Sequence, residues 1–352
     1  MTSFKKLIIY YHSGTGNALM AGKWMIEHAV EKGIECKLLS IDHNYQPDCN
    51  DLGDDTLIGF HFPTHGFNLS PAMLKFIIKF PKTTRGTCYL LNTRAGGKFF
   101  IWFMPGLSGT AQILPMLILK FKAFKIIGGL PLDLPSNWIS VHPGLGPRMT
   151  RSIIERRKRN VEAFSEILLN GGKSFRKALI TLPIDLVLLP ISFLYYILGR
   201  FFLAKTFVHT HRCNDCNICV ENCPVEAIKL VKGKPFWTYK CESCMRCINI
   251  CPHKAIQSSH FLALLGILFY QLGFSLLLFR YFPFLKFLKS DLFIFIVDNL
   301  VVIGLFYSLY FVMHKVFKLK VFGRFLELTS FTFYWRRYLF PDVKVNHFKQ
   351  KS

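Results

Sequence analysis

Residues 213–224 read CNDCNICVENCP, and residues 241–252 read CESCMRCINICP. Cys213, Cys216, Cys219 and Cys223 follow the spacing C-x2-C-x2-C-x3-C-P, and Cys241, Cys244, Cys247 and Cys251 repeat it with the same rhythm. Three thiolates this close on one loop wrap three corners of a cubane 4Fe-4S cluster, and a short helical turn carries the fourth Cys away. Structural zinc wants two separated C-x2-C pairs and has no use for a third Cys followed by x3-C-P. A disulfide framework needs an oxidising compartment. The apolar run at the N-terminus, Leu7–Tyr11, is too short for a signal peptide. The doubled run therefore reads as cluster ligands. Cys36, Cys49 and Cys88 are isolated and are expected to be small core residues.

Over residues 209–258 the pattern resembles the bacterial two-cluster ferredoxins. In that family the fourth Cys of each run ligates the other cluster. The resemblance implies two 4Fe-4S clusters, one on Cys213, Cys216, Cys219 and Cys251, the other on Cys241, Cys244, Cys247 and Cys223.

Upstream, Phe4–Tyr11 is a continuous apolar run that reads as a buried parallel strand, followed at once by Ser13-Gly14-Thr15-Gly16-Asn17 and a helix over Ala18–Lys32. A strand, a loop of hydroxyls and glycines, and a helix N-terminus make a phosphate cradle. It is neither a Walker A loop nor a dinucleotide fingerprint. It resembles the FMN-phosphate loop of flavodoxins, with Ala18 where that family usually has a hydroxyl. Further strands are expected at Ile34–Ile41, Thr56–Phe62, Thr87–Asn92 and Phe124–Gly128, with an irregular connection over Asp42–Asp55 and helices over Ala72–Phe80 and Thr150–Leu169. Strands alternating with helices give a doubly wound parallel α/β sheet whose ligand sits at the carboxyl ends of the strands.

The resemblance to flavodoxins, over residues 3–172, implies FMN bound by three loops. These are Ser13, Thr15, Gly16 and Asn17; Pro63, Thr64, His65, Gly66 and Phe67; and Thr93, Arg94, Gly96 and Gly97. Arg94, with no carboxylate between Leu90 and Met104, is expected to set an unopposed cation beside the ring and raise its potential. The stretch Phe99–Phe121 is expected to be a buried or partly membrane-facing helix.

The chain has 352 residues, enough for two or three domains, and 51% of them are hydrophobic. Its formal charge of +23 is concentrated, with nine Lys/Arg against three Glu over 148–177 and nine against two acids over 314–352. Both blocks adjoin apolar stretches, which suits anionic lipid, and no nucleic-acid reading module accompanies them. Ala178–Ala204 is apolar but broken by Pro183, Asp185, Pro190 and Arg200, with basic residues at both ends. It reads as an interfacial or re-entrant segment. Phe261–Phe279 and Leu292–Met313, joined by Arg280–Asp291, read as a transmembrane hairpin whose one internal charge is Asp298. Gln271, Tyr270 and Asn299 are its expected partners, in a helix–helix clamp or a proton or quinone contact. Trp335-Arg336-Arg337-Tyr338 reads as an interfacial anchor.

The expected organisation is a flavodoxin-like domain (1–173), an apolar linker (174–207), a two-cluster ferredoxin domain (208–258), the hairpin (259–315) and a basic aromatic tail (316–352). It resembles the fused flavodoxin–ferredoxin proteins of anaerobic bacteria. That implies a membrane-attached electron-transfer protein, its redox domains on the cytoplasmic side, serving a redox partner protein or a membrane acceptor. Two other readings stand beside it: a flavin-dependent reductase of a small substrate such as a quinone, and an iron–sulfur sensor or assembly protein with a vacant flavodoxin fold.

Overall fold

A computed structural model describes residues 4–47, 53–83, 86–100, 102–271 and 320–348, with residues 297, 300, 301, 304, 305, 308, 311 and 312 between them. Cys49, the link 280–291, Asp298 and Asn299 lie outside the described residues, as do the side chains of Tyr270 and Gln271.

The first domain runs β1 (Lys6–Tyr11), α1 (Asn17–Val30), β2 (Glu35–Ser40), β3 (Thr56–His65), β4 (Asn68–Leu69), α2 (Pro71–Lys79), β5 (Thr87–Phe99), β6 (Trp102–Met104), α3 (Thr110–Phe121), β7 (Lys125–Pro135) and α4 (Pro147–Leu169). Five strands pair in parallel in the order β2-β1-β3-β5-β7. This is the 2-1-3-4-5 arrangement of a flavodoxin-like sheet. The apolar run of β1 is continuous because both faces of the sheet are covered. Leu7 and Ile9 join Trp24 and Phe164 on one face, while Ile8 and Tyr10 join Phe76 and Phe80 on the other. That split is the strand's period of two.

Two expectations here need correction. The fifth strand does not stop at Gly128 but runs to Pro135, paired throughout with β5 up to Gly96↔Pro135. Beyond one bridge from Gly128 to Ser174, β7 pairs only with β5 among the described strands, so at Pro131 the missing N–H can face an open edge. Phe99–Phe121 is not one helix: β5 turns back as the antiparallel hairpin with β6, in register Gly97↔Met104, before α3 begins.

The linker forms α5 (Arg176–Val187), α6 (Leu189–Leu194), a π-helical turn Tyr195–Gly199, and α7 (Arg200–Ala204). Among the described residues no single helix is long and apolar enough to cross a membrane, but Arg176–Val187 and Leu189–Ile197 would be as a pair, bent by 76°. Pro190 sits in the first turn after the bend, where its lack of an N–H costs no helical bond. Asp185 does not face outward. It is buried, accepts the N–H groups of Ser108 (2.9 Å) and Gly109 (2.8 Å), and takes a bond from Thr181 Oγ1, so it ties the linker to the start of α3.

The cysteine-rich domain has β8 (Phe207–His209), α8 (Ile218–Glu221), β9 (Ile228–Val231), β10 (Lys234–Trp237), α9 (Arg246–Ile250) and β11 (Ile256–Ser258), with β9–β10 and β8–β11 antiparallel. Beyond it lie α10 (His260–Gln271), α11 (Lys320–Leu328) and α12 (Phe331–Tyr334).

The tail departs from the expected interfacial anchor. Tyr338, Phe340, Val343 and Phe348 are buried, and the last three join the core cluster of Leu7 and Trp24. Arg337 donates to the carbonyls of Ile248 and Ile256, and the Phe340 N–H donates to Thr15 O at 2.9 Å. The tail's aromatic and basic residues find acceptors and apolar partners inside the protein, so it is a strap across the first domain's phosphate loop.

Candidate functional site

Ser13, Thr15, Asn17, Pro63, Thr64, His65, Gly66, Thr93 and Arg94 line one cleft, at the carboxyl ends of β1, β3 and β5. Gly16 stands behind it as the left-handed cap of α1, at φ 103°, and no side chain caps that helix. Its first N–H groups therefore remain for an anion. Phe67, Gly96 and Gly97 stand outside the lining. Gly96 and Gly97 lie in the strand and hairpin that continue past the cleft, and the Phe67 carbonyl accepts from Thr110 N and Ser192 Oγ, both at 2.9 Å.

Buried Thr15 Oγ1, His65 Nδ1 and Ser243 Oγ have no hydrogen-bond partner among the described residues, and all three residues line this cleft. Such groups cost about 1–3 kcal/mol each when left unmade, so the cleft fits a ligand rich in polar atoms. Burial pushes the His65 imidazole down to about 3, with neighbouring His12 adding to it. It is a neutral donor and acceptor at ordinary pH. The Asn17 side chain is already taken, donating to Pro135 O at 2.9 Å and accepting from the Tyr338 hydroxyl at 2.7 Å.

The unopposed cation expected at Arg94 is not there. Arg94 is buried, and its Nε donates to Asp133 Oδ1 at 2.7 Å while Asp133 also pairs with Arg157 at 3.0 Å. Arg94 and Asp133 are opposite each other across β5 and β7, a pairing that exists only because β7 runs on past residue 128. Arg94 thus faces a carboxylate, which it shares with Arg157.

Asn137, Trp138, Tyr195 and Ser243 also line the cleft. Tyr195 lies flat against Gly66, where a Cβ would collide with its ring, and stands edge-on to Trp138 at 6.2 Å. Trp138 follows a strand that reads as too short in sequence. Tyr195 comes from the apolar linker, where only a Tyr-Tyr pair stands out.

In the second domain the two cysteine runs are repeated in conformation as well as sequence. Asp215 and Ser243, Asn217 and Met245, and Glu226 and Lys254 occupy matching places and all have positive φ. None of these is glycine, so the left-handed backbone is imposed by the site. It turns successive N–H groups inward, as a nest for an anionic centre requires. The N–H of Ala227 donates to Cys223 Sγ at 3.2 Å, and that of Ala255 to Cys251 Sγ at 3.3 Å.

Cys213, Cys216, Cys219 and Cys251 together line one small cavity. Burial pushes the Cys219 thiol up to about 12, with Cys213, Cys251 and Cys216 adding to it. Burial likewise pushes Cys244 up to about 12; Arg246 opposes this and Cys223 reinforces it. Cys251 thus lines the same cavity as Cys213, Cys216 and Cys219 of the first run. Bound iron reverses the shift, because a coordinating thiol is deprotonated outright. A sequence profile of the 4Fe-4S dicluster domain family matches residues 212–256. This is an iron–sulfur domain of the 4Fe-4S type.

No curated protein matches the chain. Among solved structures it is similar to a flavodoxin of Streptococcus pneumoniae TIGR4, at 12% identity and TM-score 0.33, over 46% of this chain and 94% of that one. It is also similar to flavodoxin 1 of Bacillus cereus, at 14% and 0.30, over 43% and 93%. A flavo di-iron protein of Thermotoga maritima matches at 14% and 0.30, over 47% and 35%. The strand order, not these distant likenesses, makes the first domain flavodoxin-like.

The crossed ligation that the ferredoxin resemblance implies gives a direct expectation for one substitution. Cys223→Ser should perturb the paramagnetic signal of the cluster on Cys241, Cys244 and Cys247, and leave that on the first run largely intact. A change confined to the first run's signal would show that the fourth cysteines are not exchanged.

Proposed function

We propose that the chain is a membrane-attached electron-transfer protein carrying FMN and two 4Fe-4S clusters, with both redox domains on the cytoplasmic face. The observation that carries this reading is a shared wall. Ser243, between Cys241 and Cys244, lines the cleft, and Asn137 of the cleft donates to Cys244 O at 3.2 Å. A Cβ at Gly14 of the phosphate loop would collide with that same carbonyl.

Bound in the cleft, FMN supplies two-electron chemistry that can be released one electron at a time, and each cubane carries one. The Thr15 hydroxyl and the N-terminus of α1 would hold its phosphate. Thr64, His65 and Thr93 would flank its ring, with Trp138 and Tyr195 excluding water. Cys223, Cys241 and Cys247 are buried and Cys216 is exposed. That gradient suits a route in which the second run's cluster exchanges electrons with the flavin and the first run's faces a redox partner protein or membrane acceptor. The bent α5–α6 pair, with apolar side chains outward, supports the membrane attachment.

Anaerobically purified protein should contain one FMN and about eight irons per chain. About four irons, or no flavin, would defeat the proposal at the corresponding site.

A further inference from the structure

The β5–β6 hairpin projects from the first domain with its apolar side outward. Trp102 is 71% exposed and Met104 58%. The two point the same way on β6, and Phe103 between them points the other way. Phe103 is covered by cations, with Arg156 over its ring at 4.2 Å and Lys98 at 5.0 Å. Lys98 Nζ also donates to Ser152 Oγ at 2.7 Å, which fixes the hairpin against α4.

An exposed Trp and Met at a hairpin tip is an apolar surface that a soluble face would normally cover. Behind it, on the Phe103 side of the hairpin, α4 is strongly basic. Arg148, Arg151, Arg156 and Arg159 of α4 are exposed, with Glu155 the one acid in that stretch. α4 and α5 both pack against β7. α5 itself turns Ile180 and Val187 outward.

We propose that the β5–β6 hairpin is a second membrane contact, its Trp102 and Met104 entering the interface of an anionic bilayer while the α4 arginines meet lipid head groups. This rests on the membrane attachment proposed above. Trp is favoured at the interface because one end of its ring is apolar and the other polar. Each basic side chain near an anionic surface adds about 1 kcal/mol. A bilayer fits both features at once, which neither an acidic nor an apolar protein surface alone would do. Such docking would hold the first domain at the surface rather than letting it swing from the linker.

The test uses the full-length protein, with Trp102→Phe as its reference, in phosphatidylglycerol–phosphatidylcholine vesicles with and without brominated acyl chains. The Trp102 component is the emission of the parent minus that of the variant. Expected is a chain that floats with the vesicles and loses most of that component to the brominated lipid. Flotation with the Trp102 component unquenched overturns the hairpin contact and leaves the membrane attachment standing. No flotation overturns both. A Trp102 component already shielded from aqueous iodide without lipid means that a second copy covers the tip, and also overturns the proposal.

Discussion

Arg246→Met should cost about 3–5 kcal/mol of folding stability, the range for removing one partner of a buried ion pair. Arg246 lies between Cys244 and Cys247 and is 1% exposed. Its guanidinium leaves its own domain to donate to Ser13 O (2.7 Å), Gly14 O (3.2 Å) and Asp42 Oδ2 (2.8 Å), and it also donates to Asn222 O (3.0 Å). One planar fork thus fastens the cysteine loop to the backbone of the phosphate loop, a task for which a lysine has the charge but not the geometry. Removing it strands Asp42, which is 2% exposed and keeps only His12, at 3.2 Å.

Burial disfavours the Asp42 carboxylate, but Arg246 and then His12 outweigh it and hold its acidity well below the usual carboxylate range. A carboxyl with a lowered folded value contributes stability above its unfolded value of about 4, and loses it as pH falls below that. Arg246→Met should therefore abolish this acid-side dependence along with the stability. The double variant Arg246→Met/Asp42→Asn should recover part of the loss, since no charge is left stranded. Chemical unfolding at neutral and mildly acid pH checks both statements. A single variant as stable as the parent would mean that the guanidinium does not hold the domains together.

How far the sequence is legible depends on what each residue answers to. The cysteine spacing is ligand chemistry written along the chain, and Cys251 does line one cavity with Cys213, Cys216 and Cys219. The sheet order follows from apolar runs that alternate with helices. The length of β7 does not follow, because Gly128, Gly129 and Pro131 look like breakers until the strand is known to be an edge. That misreading hides the partner of Arg94 and the place of Trp138. The tail is obscure for a different reason. Aromatic and basic residues side by side suit a lipid interface and a buried strap equally well, and only the partners separate the two. Arg246 gives no local sign, since its acceptors at residues 13, 14 and 42 lie more than two hundred positions away.

Phe340→Ala should cost about 3–5 kcal/mol as a large-to-small change in a packed core, and it should loosen the FMN proposed for the cleft. Phe340 is 1% exposed, with its ring edge-on to Trp24 at 5.8 Å. Its N–H donates to the carbonyl of Thr15, the residue whose buried hydroxyl stands unpartnered in the cleft. With Val343 it fills the space behind Gly16, where even a methyl group would collide. The phosphate loop therefore leans on the strap, and a hole in the strap lets the cradle spread. FMN should leave the variant faster than the parent under gel filtration, with the iron content unchanged. Tyr334→Ala, at a side chain 61% exposed, is the control, and its stability should stay within about 0.5 kcal/mol of the parent. If Phe340→Ala were destabilised yet released flavin no faster, the strap would be packing for the domain and not a support for the cofactor loop.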